Sequence, residues 1–250
     1  MRILGVIPAR FASTRFPGKP LADIGGRSMI ERVYRQASLC DSLAKVLVAT
    51  DDLQIAQHVE AFGGNVVMTS PDHVSGTDRC AEALQKEGGS WDAVINIQGD
   101  EPFIQPEQIE LVCSCFLIPE TKLATLVKEV RNADELFNPN TPKVVVSKSG
   151  EALMFSRQTI PFVKGVPEKD WLQAHTFYKH IGIYGYRSDV LPQLTLLPQG
   201  KQELAESLEQ LRWLEHGYRI MTRVTDQETM AVDTPEDLQR IQIHYLTGDL

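Results

Sequence analysis

Short apolar runs alternate with amphipathic segments along the first half of the chain. The apolar runs, which have the length of buried strands, lie at 3–8, 46–49, 66–68 and 93–97. The segments that separate them repeat apolar residues at helical spacing, near 29–37, 53–62 and 77–87. Gly63-Gly64 and Gly88-Gly89 then end two of the predicted helices. This β-α rhythm predicts a three-layer α/β/α fold, a parallel sheet with helices on both faces.

The alternation becomes less regular after residue 105. Helices are predicted near 106–117, 188–194 and 201–215 and from Pro235 onward, and strands near 123–130, 143–147, 152–155, 181–186 and 219–224. Antiparallel additions among these strands would make the sheet mixed, although still mostly parallel. The sequence contains no internal repeat, low-complexity tract or flexible linker. We therefore expect a single domain over 1–250, with a lobe inserted at approximately 120–195.

Composition narrows the classes of function. The 250 residues carry 25 Lys and Arg against 33 Asp and Glu, a net charge of −8. An acidic field does not help a protein to bind nucleic acid or a membrane surface, so neither partner is expected. No stretch approaches the ~20 apolar residues of a membrane span. The four cysteines lack the paired spacing of a metal site, which predicts buried free thiols and a reducing compartment, the cytoplasm.

The segment that follows the first strand, residues 8–21, contains three cations, three prolines and no acid. The first 35 residues hold seven Lys or Arg against two acids. A cationic island in an acidic chain suggests a defined anionic ligand, and Arg10, Arg15 and Lys19 could surround a triphosphate. A solvated basic loop that pairs with surface acids is the alternative. The sequence has neither a Walker loop nor the G-x-G-x-x-G fingerprint.

Two aspartates are candidates for the same edge of the sheet. Asp100 follows the fourth strand, and parallel strands place the carboxyl end of that strand beside the opening loop. Asp100 could therefore hold Mg²⁺ on a phosphate, or it could pair with a cation. Asp233 precedes a predicted helix start at Thr234-Pro235, where an aspartate also serves simply as a start signal. Glu101 is expected to be a structural neighbour.

Eight motifs, in order along the chain, resemble the CMP-KDO synthetase (3-deoxy-manno-octulosonate cytidylyltransferase) family. They are Pro8-Ala9-Arg10 with Ser13, Arg15 and Pro17-Gly18-Lys19-Pro20-Leu21; Ala49-Thr50-Asp51-Asp52; His73-x-Ser75-Gly76-Thr77-Asp78-Arg79; Gln98-Gly99-Asp100-Glu101-Pro102; Phe155-Ser156-Arg157; His180 to Arg187; Leu208 to Arg212; and Val232 to Leu238. Each motif alone is a weak signal, whereas eight in the right order are highly specific.

The resemblance implies a fold, a reaction and an assembly. The fold is the Rossmann-like nucleotide-diphospho-sugar transferase fold, with Mg²⁺ dependence and a homodimer formed through the inserted lobe. The implied reaction joins CTP and KDO (3-deoxy-D-manno-octulosonate) to give CMP-KDO and pyrophosphate, for lipopolysaccharide assembly. In-line attack of the anomeric hydroxyl on the α-phosphorus needs positioning and charge stabilisation more than covalent help.

The resemblance also implies roles for individual residues. The implied catalytic residues are Lys19 on the α-phosphate, Arg10 and Arg15 on the phosphates, and Asp100, which would hold Mg²⁺ with Asp233. The implied nucleotide contacts are Pro8, Ala9, Arg10, Lys19, His73, Ser75, Gly76, Thr77, Arg79 and Gln98. The implied sugar contacts are Gln98, Arg157, His180, Tyr184, Glu209 and Gln210. Without the family, Ser75 and Thr77 would simply cap a helix, and His180 and Tyr184 would be ordinary strand residues.

Other functions are compatible with parts of this pattern. A related cytidylyltransferase could act on another 2-keto sugar acid, such as 8-amino-KDO or sialic acid. A noncatalytic nucleotide-binding module would have no need of Lys19 and Asp100, and both are present. A glycosyltransferase on a similar sheet would normally show an Asp-x-Asp pattern, and Gln98-Gly99-Asp100 lacks the first aspartate. We therefore expect transfer of CMP from CTP to KDO.

Overall fold

A computed structural model describes residues 1–12, 16–228 and 230–247, with side chains described as far as residue 242. By its internal contacts the chain divides into two compact units. The first comprises Met1–Glu110 with Glu228–Leu250, and the second comprises Leu111–Gln227. The second unit therefore interrupts the first along the chain. The single domain with a lobe inserted at approximately 120–195 remains a prediction.

The predicted elements occur in the predicted order. The strands are β1 Ile3–Ala9, β2 Asp23–Ile24, β3 Arg27–Ser28, β4 Leu43–Thr50, β5 Val66–Met68, β6 Ala93–Asn96, β7 Leu123–Glu129, β8 Lys143–Val146, β9 Ala152–Ser156, β10 Tyr178–Arg187 and β11 Ile220–Val224. The helices are α1 Met29–Ala37, α2 Leu53–Ala61, α3 Gly76–Glu87, α4 Pro106–Cys115, α5 Ala133–Phe137, α6 Trp171–Ala174, α7 Leu191–Thr195, α8 Lys201–Glu206, α9 Gln210–Glu215 and α10 Pro235–Thr247. The structure adds β2, β3, α5 and α6, which were not predicted. Short 3₁₀ turns occupy Lys19–Leu21 and Glu168–Asp170.

The first unit contains a parallel arrangement of strands in the order β6-β1-β4-β5. Residues 3–7 of β1 are all buried, as expected for a strand covered on both faces. The register pairs Val6 with Asn96 and Ala9 with Thr50, so the carboxyl ends of these strands share one edge. The loops that follow β1, β5 and β6 therefore begin at the same edge, where open α/β folds bind ligands.

Side-chain caps explain where the helices of the first unit begin. The Ser28 hydroxyl accepts the backbone N–H of Glu31, and Asp52 accepts the N–H groups of the first turn of α2. Ser75 and Asp78 form a reciprocal capping box at the start of α3. The expectation that Ser75 caps this helix is therefore confirmed.

The second unit contains the antiparallel additions. β10 runs antiparallel to β7, and β11 runs parallel to β7 on the other side. β8 pairs with both β9 and β10 in antiparallel fashion. The prediction of a mixed, mostly parallel sheet is confirmed.

The helix predicted over 201–215 is interrupted, which corrects that prediction. Ser207 adopts a left-handed conformation with φ of 51° and separates α8 from α9. Such a φ is uncommon for a residue with a side chain. The carboxylate of Glu206 accepts hydrogen bonds from the Ser156 hydroxyl at 2.6 Å and from the Arg157 N–H at 2.8 Å. These tertiary contacts hold the chain at the break, and helical periodicity alone does not reveal them.

Two expectations from composition can be compared with the structure. All four cysteines are free and buried, as predicted. Within the ranges described above, no helix combines the length and apolar character needed to cross a bilayer.

Candidate active site

A cavity of about 260 Å³ lies in the first unit, at the edge where β1 and β6 end. It is lined by Pro8, Ala9, Arg10, Lys19, Pro20, His73, Val74, Ser75, Gly76, Arg79, Gln98, Gly99, Asp100 and Asp233. These residues come from the opening loop, from the loop before α3, from the turn after β6 and from the segment before α10. Most of the predicted nucleotide contacts are therefore brought together at one place.

The ammonium group of Lys19 is held by two predicted metal ligands. Its Nζ lies 2.7 Å from Oδ2 of Asp100 and 3.6 Å from Oδ1 of Asp233, and it donates to the carbonyl oxygen of Val232 at 2.9 Å. The N–H of Val232 in turn donates to the Asp100 carbonyl at 2.9 Å. The structure thus joins one cation and two acids that lie far apart in the sequence.

Two glycines allow this arrangement. Gly18, with φ of 72°, turns the opening loop so that the 3₁₀ turn Lys19–Leu21 can follow. A Cβ placed on Gly99 would lie 2.7 Å from the carbonyl oxygen of Pro8, which is closer than real Cβ atoms approach. Only glycine therefore lets the turn after β6 pack against the end of β1. This close packing brings Asp100 to Lys19.

The residues present fit a divalent cation. The carboxylates of Asp100 and Asp233 both lie within ion-pair distance of the single Nζ of Lys19, so they can face one cation. In the described part of the chain, no group of three or more His, Cys, Asp or Glu could form a complete protein cage for a metal. Mg²⁺ suits the two-carboxylate arrangement because it usually takes one or two protein carboxylates and completes its shell with water and phosphate oxygens.

Glu101 is buried beside this cluster. It is 5 % exposed, and its Oε2 has no hydrogen-bond partner among the described residues. Burial, and then the neighbouring charge of Asp100, raise the pKa of Glu101 to about 8. At neutral pH the side chain is therefore mostly a neutral acid.

This raised pKa predicts a pH-dependent stability. The unfolded chain releases the Glu101 proton near pKa 4.5, whereas the folded chain retains it up to about 8. The stabilisation that comes from this retained proton is complete below the pKa of the unfolded chain. It is lost as the pH rises through the pKa of the folded chain. Between about pH 5 and about pH 8, we expect the unfolding free energy of the wild type to fall by roughly 3 kcal/mol more than that of Glu101→Gln, because the amide has no proton to release. Urea unfolding of the wild type and of Glu101→Gln at the two pH values measures this difference. Equal losses of unfolding free energy in the two proteins would contradict the prediction.

The other predicted nucleotide contacts differ in their surroundings. Arg10 is exposed, and His73 lies at the cavity with its Nε2 2.5 Å from Oε2 of Glu82. Arg79 is buried, and its Nη1 lies 2.5 Å from the Thr69 hydroxyl and 3.5 Å from Oδ1 of Asp51. Thr77 is buried in the first turn of α3 and is not among the residues that line the cavity. Arg15 lies outside the described residues.

The predicted sugar contacts, apart from Gln98, lie in the second unit. There the rings of His180 and Tyr184 are 5.1 Å apart, and Nε2 of His180 lies 2.9 Å from the Thr125 hydroxyl. Burial lowers the pKa of His180 to about 3, so its ring is neutral. Burial, then Tyr186 and Glu209, raise the pKa of Tyr184 well above 10.

Gln210 and Arg157 complete the predicted sugar set. Gln210 is buried, and its Nε2 has no hydrogen-bond partner among the described residues. Arg157 is bound to the backbone: its Nε donates to the Glu206 carbonyl at 2.6 Å and its Nη1 to the Pro139 carbonyl at 3.1 Å. The sugar-binding roles of these residues remain predictions.

Sequence reasoning missed Glu82 and Asp51, which contact two cavity residues. Asp51 lies within one of the eight motifs, and that motif could have pointed to a role. Glu82 lies in the second half of α3, and no local pattern distinguishes it from a solvated helix face. Its contacts with the preceding loop appear only once α3 is packed.

Comparison with known proteins shows which family this chain resembles. A cytidylyltransferase family profile matches residues 4–220. A 3-deoxy-manno-octulosonate cytidylyltransferase of Parabacteroides distasonis is 58% identical over 244 residues, 96% of each chain. The protein of the same name from Geobacter sulfurreducens is 44% identical, over 96% of this chain and 98% of its own.

Solved structures agree with the sequence relatives. A CMP:2-keto-3-deoxy-manno-octonic acid synthetase complexed with CTP is 42% identical, with a TM-score of 0.91 over 100% of both chains. A 4-diphosphocytidyl-2C-methyl-D-erythritol synthase of Anaerococcus prevotii, 14% identical with a TM-score of 0.63 over 98% of each chain, shares the fold alone. The predicted fold class is confirmed, and the resemblance drawn from the eight motifs is confirmed with it. The chain belongs to the 3-deoxy-manno-octulosonate cytidylyltransferase family.

Proposed function

We propose that this chain transfers CMP from CTP to the anomeric hydroxyl of KDO and releases pyrophosphate, which supplies CMP-KDO for lipopolysaccharide assembly. The observation that carries the proposal is the cluster of Lys19, Asp100 and Asp233 in one cavity of a chain with these relatives. A cation and two carboxylates at the carboxyl edge of a parallel sheet suit a nucleotide with its metal. The alternative sugar acids are not favoured, because both sequence relatives cited above, at 58% and 44% identity, are named for 3-deoxy-manno-octulosonate.

Lys19 and Arg10 act on the phosphates. On nucleotide binding, the ammonium of Lys19 exchanges carboxylate partners for an oxygen of the α-phosphate and stabilises the charge that develops there. Arg10, exposed at the cavity, contacts the outer phosphates with Arg15. The turn at Gly99 keeps Asp100 fixed against the end of β1, so the acid does not have to be ordered during the reaction.

Members of the cytidylyltransferase family typically use a divalent metal, and here we propose Mg²⁺ on Asp100 and Asp233. When bound, Mg²⁺ supplies charge neutralisation between the two anionic substrates and lowers the pKa of the attacking hydroxyl. Both carboxylates already face one cationic group, so they need little rearrangement to face another.

Cytosine selection is assigned to the carboxyl end of β1 and to the 73–79 segment. Pro8, Ala9, Ser75 and Gly76 line the cavity. Cytosine differs from uracil by a donor at N4 and an acceptor at N3, and a buried site that pairs these groups rejects the wrong base. Arg79 also lines the cavity, where its contacts with Thr69 and Asp51 hold the guanidinium as a donor for the base.

Recognition of the sugar acid is assigned to the second-unit residues Arg157, His180, Tyr184, Glu209 and Gln210. Gln98, predicted for the same role, lines the cavity of the first unit. Because its ring is neutral, His180 suits the sugar hydroxyls better than the carboxylate. Gln210 offers a buried amide Nε2 that a sugar oxygen would satisfy.

The direct test is pyrophosphate release with CTP and Mg²⁺. KDO, 8-amino-KDO and sialic acid are compared as acceptors under the same conditions. We expect release with KDO at a higher kcat/KM than with either analogue. Pyrophosphate release with none of the three acceptors would favour a noncatalytic nucleotide-binding module. A higher kcat/KM with 8-amino-KDO or sialic acid would show that this analogue, and not KDO, is the substrate.

We also propose a homodimer in the cytoplasm. Two large apolar side chains of the second unit, Leu153 and Phe162, are 60% and 72% exposed, which is consistent with a covered surface in an assembly. Light scattering is expected to give twice the chain mass of 28.0 kDa, and a single-chain mass would contradict the dimer. The four buried free thiols are consistent with a reducing compartment.

A further inference from the structure

The carboxylate of Glu82 ties α3 to the loop that precedes it, residues 69–75. Its Oε2 accepts the backbone N–H of Ser70 at 2.7 Å and lies 2.5 Å from Nε2 of His73. Its Oε1 lies 2.8 Å from Nζ of Lys86, which also donates to the carbonyl oxygen of Met68 at the end of β5. Glu82 therefore links the helix directly to a residue that lines the cavity and, through Lys86, to the end of the strand.

The charge state of Glu82 fixes the orientation of the His73 ring. Burial alone raises the pKa of Glu82, but hydrogen bonds from Lys86, Ser70 and His73 outweigh it and lower the pKa to about 2. An ionised carboxylate can only accept hydrogen bonds, so Nε2 of His73 carries the proton. The ring is thus held by a charge-assisted bond, the stronger kind of hydrogen bond.

The loop has few other anchors. Pro71, Asp72 and Val74 are exposed, Val74 to 83%. Thr69 is held by Arg79 at one end of the loop, and Ser75 is held by the capping box at the other. Between these ends, Glu82 contacts both the backbone and the one ring that reaches the cavity.

We propose that Glu82 is a positioning residue for CTP, which acts through His73 and Ser70 and holds the 69–75 loop in its nucleotide-binding conformation. This inference rests on the proposed function, because it takes the cavity to be the CTP site. A loop that becomes ordered only when the ligand binds loses conformational entropy, which weakens binding. A loop that is already ordered in the folded protein avoids this cost. Loss of the Glu82 contacts should therefore weaken the binding of CTP and leave the chemical step and the sugar acid largely unaffected.

The test compares Glu82→Gln with Glu87→Gln. Both residues lie in α3 and both pair with a lysine, but Glu87 pairs with Lys45 at 2.7 Å and does not line the cavity. The dissociation constant of CTP is measured by calorimetry without sugar acid, and kcat and the two KM values are measured with KDO. For Glu82→Gln we expect CTP binding to weaken about tenfold, with KM for KDO and kcat little changed. For Glu87→Gln we expect no change.

A second variant tests the same link from the loop. His73→Gln should weaken CTP binding to a similar degree, and the double variant should lose less than the sum of the two single losses, because part of the effect of Glu82 passes through His73. This variant on the loop also keeps the test possible if Glu82→Gln fails to fold. Unchanged CTP binding in His73→Gln, unchanged binding in Glu82→Gln, or additive losses in the double variant would overturn the proposal.

The two levels of inference can fail separately. If the wild type binds CTP but releases no pyrophosphate with KDO, the proposed function fails and the effect of Glu82 on CTP binding can still be measured. If the wild type turns over KDO and Glu82→Gln binds CTP normally, the proposed function stands and the positioning role is wrong.

Discussion

Replacing Lys19 with alanine is expected to lower kcat about 10³-fold, with a much smaller loss of CTP affinity. The side chain of Lys19 is mostly buried, 14% exposed, and its ammonium contacts the carboxylates of Asp100 and Asp233. Its contact with the α-phosphate would strengthen as charge develops, so its removal affects the transition state more than the ground state. Arg10 and the 69–75 loop would still hold the bound nucleotide.

Steady-state pyrophosphate release and a CTP titration measure the two effects of Lys19→Ala separately. Lys45→Ala is the matched control, because it removes the same charge from an ion pair with Glu87 that does not line the cavity. We expect this control to have a normal kcat. Near-normal turnover in Lys19→Ala would remove Lys19 from the mechanism, whereas equal losses of kcat in both variants would indicate a general effect of charge.

Asp100→Ala is expected to lower kcat about 10²- to 10³-fold and to raise the Mg²⁺ concentration needed for half-maximal activity. The carboxylate of Asp100 is 29% exposed, and in the structure it is the nearer of the two acids to Lys19. Loss of one of two metal ligands should weaken the binding of the metal, and added Mg²⁺ should restore part of the activity.

The dependence on Mg²⁺ separates two roles for Asp100. If Asp100 only pairs with Lys19, its removal would reduce kcat without a change in the Mg²⁺ requirement. Asp41→Ala provides the control, since Asp41 is exposed and does not line the cavity. An unchanged Mg²⁺ requirement in Asp100→Ala would assign the residue to the ion pair alone.

Much of the site followed from periodicity and topology. The apolar runs located β1 and β6, and parallel pairing then required their carboxyl ends to share one edge. For this reason Lys19 and Asp100, which lie in the segments after those strands, were expected together. The cap at Ser75 was likewise readable from local chemistry.

The rest depends on packing that no local pattern encodes. Asp233 reaches Lys19 because the segment before α10 returns to the turn after β6, where Val232 bonds to the Asp100 carbonyl. The burial of Glu101 and its raised pKa depend on that same packing. Ser207 breaks a helix of good periodicity because Glu206 is held by Ser156 and Arg157 from another part of the chain. These contacts join residues that are distant in sequence, so they become visible only in the folded chain.

A crystal structure with CTP and Mn²⁺, with the metal located by its anomalous scattering, tests the central claim most directly. We expect the metal between the carboxylates of Asp100 and Asp233, and the α-phosphate within hydrogen-bond distance of the Lys19 ammonium. A nucleotide bound outside this cavity, or a metal held by other acids, would contradict the account.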